Sequence, residues 1–210
     1  MSEADFNDMV AFFDKMAQTA WLSGVHDRLK RWSGDWKGQS ILDVGCGTGR
    51  LLLRGADEAE RLVGVDLSSE MIKTARHNLG NNAELFVGDA YELPLDDDTF
   101  DISVSTCVMF LLPEPEKGVS EMARVTKAGG TLAMLNPGER MERENVEAYC
   151  RNHGVEGFEK EAFLKWSDVS KRRHRYTAEQ LSTMLHDHGI KTVEHHEVLD
   201  GLALVTVGHQ

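Results

Sequence analysis

The chain has 210 residues, 41% of them hydrophobic and 28% charged, values expected of a soluble globular protein of about one to two domains. Its 23 basic and 35 acidic residues leave a net charge of −12, which weighs against a broad nucleic-acid footprint built on Lys and Arg. No run approaches the ~18 apolar residues of a membrane-spanning helix. The opening residues carry no basic-then-apolar leader, and Cys46, Cys107 and Cys150 form neither a CxxC pair nor an even-numbered framework. A cytoplasmic protein with free thiols and no metal site is expected.

Residues 4–32 read as helix, because Phe6, Met9, Val10, Phe13, Met16 and Ala17 recur at helical spacing; Gly24 is the expected break or bend. SGDWKGQS (33–40) is turn chemistry. An alternation follows: strand 41–44, helix 50–59, strand 62–65, then helix 69–79 with Ser68 or Ser69 as N-cap and Gly80 as stop. Strands are expected at 84–87, 100–105 and 131–135, with a helix over 113–127 that Ala128-Gly129-Gly130 ends. Residues 138–176 are polar with scattered aromatics and read as a partly helical insertion over the sheet edge. Thr177-Ala178-Glu179-Gln180 is a capping-box sequence, opening a helix that runs to His188 and stops at Gly189. Strands at 190–198 and 202–207 flank Leu199-Asp200-Gly201, an Asp-Gly hairpin signal that makes the last two strands antiparallel. Strands alternating with helices predict an α/β, mostly parallel sheet covered on both faces.

ILDVGCGTGR (41–50) carries the ligand signal. Bare backbone between a first strand and its helix admits a ligand closely, and the helix start offers free N–H groups. Gly45, Gly47 and Gly49 make GxGxG, where the dinucleotide fingerprint has GxGxxG. Asp43, just before the loop, is a poor neighbour for a pyrophosphate and suits an amine or a sulfonium. Asp66 closes the second strand, where a carboxylate accepts from ribose hydroxyls. Asp89, past the third strand, can accept from an adenine amino group, with the Ala90 N–H donating to the ring and Leu67 and Met71 sandwiching it. Taken alone, Asp66 also reads as a helix N-cap and Asp89 as a turn former. Three acids at the carboxyl ends of successive strands fall where such sheets bind ligands.

DVGCGTG (43–49), VGVDLS (63–68), GDAYELPLDDDTFD (88–101) and EMARVTKAGGTLAM (121–134) together resemble the successive motifs of class I S-adenosylmethionine-dependent methyltransferases. The likeness is greatest to the small-molecule type 11, or ubiquinone/menaquinone-biosynthesis-like, subgroup. It covers about residues 35–135 well. The resemblance implies a Rossmann-like seven-stranded sheet ordered 3-2-1-4-5-7-6 with strand 7 antiparallel. It divides a single domain into a helical cap (1–34), a cofactor-binding core (35–135), a substrate-side insertion (136–176) and a closing helix and hairpin (177–210). It implies that the 45–49 loop, Cys46 included, cradles the methionine part of S-adenosylmethionine, that Asp66 holds the ribose, and that Asp89 and Ala90 read the adenine. Thr106 and Cys107 would line the pocket near the sulfonium. Residues 12–21 resemble the helix that closes over the cofactor, with Trp21 or Phe13 as an aromatic wall; helix packing is the alternative for both, and is favoured for Phe13.

The expected chemistry is methyl transfer to a small-molecule acceptor, leaving S-adenosylhomocysteine. No catalytic residue is forced, because in-line displacement needs alignment and exclusion of water more than acid–base help. His153 and His174 are candidate bases. KRRHRY (171–176) is either an anion-capturing run or a solvated one. His186, His188, His195 and His196 do not share faces and are not read as a metal site. Two other readings stand beside this one: a non-catalytic S-adenosylmethionine-binding protein, and a nicotinamide-dependent oxidoreductase, which leaves GxGxG, Asp43 and Asp89 unexplained. A nucleic-acid methyltransferase would keep the fold, but Asn136-Pro137 follows strand five rather than strand four. The expected partners are a small-molecule substrate, no nucleic acid and no membrane, in a monomer or homodimer.

Overall fold

The computed structural model describes Phe6 and residues 9–210. The amino-terminal region is two helices, α1 (Val10–Ala17) and α2 (Ala20–Trp32). The break falls at Thr19 rather than at Gly24. The Thr19 hydroxyl accepts from the Leu22 N–H and donates to the Met16 carbonyl, capping α2 and ending α1 together. Gly24 lies inside α2 with open space where a Cβ would go, so nothing there forces a bend. The expected start at residue 4 lies outside the described residues.

The sheet holds β1 (Ser40–Val44), β2 (Arg61–Asp66), β3 (Glu84–Val87), β4 (Phe100–Thr106), β5 (Thr126–Pro137), β6 (Thr192–Val198) and β7 (Ala203–His209). Their order is β3-β2-β1-β4-β5-β7-β6, with β7 antiparallel to both neighbours and the other pairings parallel. The central strands are buried on both faces, as parallel strands between helical layers must be. Helices α3 (Ser69–Leu79), α4 (Pro115–Val125) and α7 (Ala178–Asp187) cover the sheet. Ser68 caps α3 through the Met71 N–H, Gly80 ends it, and the capping box at Thr177 is fully formed.

Beyond the break at Thr19, the structure departs from the sequence reading in four more places. Residues 50–59 form only a 3₁₀ turn at Leu52–Gly55, where Gly55 lies so close to Trp36 that a Cβ would come within 2.5 Å of the ring. Helix α4 ends at Val125, and β5 begins at once because Thr126 pairs with Phe100 and its hydroxyl meets Ser103. The hairpin turns one residue earlier than the Asp-Gly pair: Leu199 and Asp200 both take φ near +55°, and the Gly201 N–H closes back on the Val198 carbonyl.

The last of these departures concerns the insertion, which forms α5 (Arg143–His153) and α6 (Gly157–Lys171). It packs on α1 and α2 and also meets the β6–β7 end of the sheet, where His153 and Arg140 bond to Asp200. Phe158 meets Phe12 edge-on, while Phe163 and Trp166 stack on Trp21 with centroids 4.6 and 5.7 Å away. Aromatic burial between two amphipathic elements outweighs the polar character that the insertion shows along the chain. Together the insertion and the amino-terminal helices form a roof beyond the carboxyl ends of the strands.

Candidate functional site

A cavity of about 420 Å³ opens beneath that roof. The floor is the 45–49 loop. The Gly45 and Cys46 N–H groups both donate to the Val65 carbonyl, at 2.7 and 3.0 Å, stitching the loop to β2. Gly45 has φ +74°, and a Cβ there would lie 2.2 Å from Val108 Cγ2, so only glycine lets the loop pass under the segment after β4. Gly47 has φ +53° and open space where its Cβ would be.

Asp66 is held at the end of β2. The Gly47 N–H donates to one carboxylate oxygen at 2.8 Å and the Ser68 N–H to the other at 2.9 Å. Each oxygen keeps acceptor capacity for a second partner. Burial raises its pKa, and the two N–H donors pull against that rise. Asp43 is 1% exposed and its Oδ1 has no partner. Burial, aided by the Asp66 charge, pushes its carboxyl up to about 8. Asp89 lies at the rim, where the Tyr91 N–H donates to its Oδ1 at 3.0 Å.

Eleven of the thirteen residues singled out from sequence line this cavity: Asp43, Gly45, Cys46, Gly47, Asp66, Leu67, Met71, Asp89, Ala90, Thr106 and Cys107. Cys107 adopts φ +61°, a strained conformation for a residue with a Cβ, and burial pushes its thiol up to about 12. It is therefore a protonated, neutral wall. Gly49 is not in the wall; its missing Cβ makes room for Leu79 of α3, 2.6 Å from where that Cβ would sit. Nor is Trp21, which is buried in the roof with its indole N–H donating to the Glu159 carbonyl at 3.2 Å. Phe13, for which packing was favoured, does line the cavity.

Sequence reasoning missed several lining residues. His26 sits on the buried face of α2, one turn from Leu22, and both reach the cavity. Its Nδ1 has no partner, and burial depresses its pKa to about 3, so it is neutral. A lone histidine on an apolar helical stripe was the only available signal. Arg50 lines the cavity and is held by both carboxylate oxygens of Asp14, at 2.9 Å each, tying α1 to the end of the glycine loop. Arg173 also lines it. His153 and His174 do not: His153 pairs with Asp200 at 2.7 Å, and His174 stacks on Tyr176.

These residues fit S-adenosylmethionine. The unpartnered, deeply buried Asp43 oxygen, the half-satisfied Asp66 carboxylate and the open backbone at Gly47 face one space. They offer acceptors for an amine and a diol, and room for close approach.

The glycine loop, the acids at the ends of β1 and β2 and the strand order define a class: this is the fold of the class I S-adenosylmethionine-dependent methyltransferases. Residues 42–134 match the family model described as a methyltransferase domain. It is 38% identical to demethylmenaquinone methyltransferase of Desulfitobacterium hafniense, over 47% of this chain and 42% of that one. It is 28% identical to the ubiquinone/menaquinone biosynthesis C-methyltransferase UbiE of Klebsiella pneumoniae, over 98% of this chain and 88% of that one. A Haloferax volcanii methyltransferase, solved in complex with the Trm112 methyltransferase activator, superposes with a TM-score of 0.76 at 20% identity, over 100% of this chain and 97% of that one. For the first curated relatives, the matched stretch spans only 41 to 51% of their own length. No helix among the described residues is long and apolar enough to cross a membrane.

Proposed function

We propose that the protein transfers the methyl group of S-adenosylmethionine to a small-molecule acceptor. The observation that carries this reading is the gathering of Asp43, Asp66, Asp89 and the 45–49 loop around one cavity under a roof. When bound, the cofactor would supply an electrophilic methyl: the acceptor's electron pair would form the new bond to carbon as the carbon–sulfur bond broke onto sulfur, leaving S-adenosylhomocysteine, and a proton on the acceptor atom, where it carries one, would be lost to solvent.

This chain's residues bind, orient and exclude water. Asp43 would take the cofactor's amine, the 45–49 loop its methionine part, and Asp66 the ribose hydroxyls. Asp89 and the Ala90 N–H would read the adenine, with Leu67 and Met71 against its faces. Thr106 and Cys107 would line the cavity near the sulfonium. Burial of Asp43 strengthens its attraction for a cation, because few waters compete there. The roof, fastened by the Asp14–Arg50 pair, keeps water from the reacting atoms.

The apolar wall and the net charge of −12 support a small molecule over nucleic acid. Similarity to enzymes named for menaquinone and ubiquinone biosynthesis supports an acceptor with an apolar body. The reading takes the chain as one domain, a cytoplasmic monomer or homodimer. Calorimetric titration with S-adenosylmethionine and S-adenosylhomocysteine, with NADH as control, tests it. Micromolar binding of the first two and none of NADH is expected; binding of NADH alone would refute the reading.

A further inference from the structure

Among the described residues, one cation in the cavity wall has no ion-pair partner. Asp43, Asp66 and Asp89 answer to the cofactor reading, and Arg50 is held by Asp14. Arg173 lines the same cavity and has no ion-pair or side-chain hydrogen-bond partner among the described residues.

The residues around Arg173 are fastened. Arg175 donates to the Glu142 carboxylate, to Ser170 Oγ at 3.0 Å and to the Ser167 carbonyl at 3.2 Å. The Tyr176 N–H donates to the Pro137 carbonyl at 3.0 Å, and the His174 N–H to the Phe110 carbonyl at 3.3 Å. That last bond sets Arg173 beside the 3₁₀ turn at Met109–Leu111, directly after β4. Leu111, Leu112 and Pro113 continue from this turn into the wall, joined by Phe13 and Met16 of α1. This side of the cavity is therefore apolar, with a guanidinium at its rim. Of the basic run 171–176, Arg175 serves the structure and Arg173 faces the cavity.

We propose that the acceptor is an anion with an apolar body, its carboxylate or phosphate held by Arg173. The inference rests on the reading of the rest of the cavity as the S-adenosylmethionine site. A guanidinium matches either group with two parallel N–H donors, a fit that an ammonium lacks. The chain's net charge of −12 repels anions in general, so an anionic acceptor needs a local cation at the entrance. Apolar contact with Leu111, Leu112 and Phe13 would hold the body and leave the charged end at the rim.

The test is calorimetric titration of the protein saturated with S-adenosylhomocysteine, using 2-naphthoate and octyl phosphate against their neutral counterparts 2-naphthamide and octanol. At least one anion should bind about tenfold or more tighter than its counterpart. Arg173→Ala should abolish that preference and Arg173→Lys restore part of it, with S-adenosylhomocysteine affinity unchanged in both. Wild-type protein showing no anion preference with either body overturns the proposal, as does a preference that survives Arg173→Ala. Failure of S-adenosylhomocysteine to bind the wild type strikes the cofactor reading itself, and this proposal falls with it on separate grounds.

Discussion

Replacing Asp43 by Asn should change both stability and cofactor binding, each with a definite sign. Asp43 is 1% exposed, with one oxygen unpartnered, and burial lifts its carboxyl from 3.8 to about 8. Between those values the folded chain keeps a proton that the unfolded chain has lost. Stability of the free protein therefore falls as pH rises through this window, by up to about 1.4 kcal/mol per pH unit, and levels off above it. Asparagine cannot ionise, so the Asn variant should lose that slope and melt higher than wild type at pH 7.5. Binding runs the other way. If Asp43 meets the cofactor's ammonium, the complex favours the carboxylate and binding releases a proton. Affinity for S-adenosylhomocysteine should then rise roughly tenfold per pH unit, or about 100-fold from pH 5 to pH 7. Asp66 is raised too, but its two N–H donors offset part of that rise, so only a lesser slope should remain in Asp43→Asn. Calorimetry at pH 5, 6 and 7 in two buffers of different ionisation enthalpy counts the proton directly. A wild-type affinity flat across this range, or a full slope kept by the Asn variant, refutes the reasoning.

The other expected outcomes concern the loop, the second acid and the roof. Asp66→Ala removes both oxygens that would meet the ribose hydroxyls and should cost about 2–4 kcal/mol of binding, roughly 30- to 1,000-fold in Kd, while far-UV circular dichroism stays native. Unchanged affinity would remove Asp66 from the site. Gly45→Ala puts a Cβ 2.2 Å from Val108 Cγ2 at φ +74°, and should destabilise by about 2–4 kcal/mol in urea melts. Adding Val108→Ala should recover part of that loss, and a fully additive double variant would contradict the contact. Trp21→Ala breaks the stack with Phe163 and Trp166 and should cost about 3–5 kcal/mol of stability. The folded fraction should bind S-adenosylhomocysteine as wild type does; a large loss of affinity would return Trp21 to the cavity wall.

How much was legible in the sequence follows the range of the interactions. The glycine loop, Asp43, Asp66 and the α3 cap were readable because each rests on strand-end position or on contacts within a few residues. Ser68 caps Met71 three residues on, and Gln180 closes its box with Thr177 at the same spacing. The antiparallel end of the sheet was readable from the Leu199-Asp200-Gly201 turn, although the two central residues proved to be Leu199 and Asp200.

Long-range packing decided the rest. Phe13 on α1 and Trp21 on α2 stand either side of the break at Thr19, and as aromatics at helical spacing their sequence surroundings do not separate their roles. The arrival of α6, about 140 residues away in sequence, buries Trp21 against Phe163 and leaves Phe13 facing the cavity. The run 171–176 likewise reads as undifferentiated charge, until Glu142 and Ser170 take Arg175 and the Phe110 carbonyl sets Arg173 at the rim. His26 belongs to the cavity only because α2 packs over the end of the strands. By itself the sequence determined the alternating strands and helices, the glycine loop and the acids at the strand ends, since those depend on local patterns and backbone conformation. Only the tertiary structure decided which helical side chains close the cavity and which cation faces it, since that depends on partners distant in the chain.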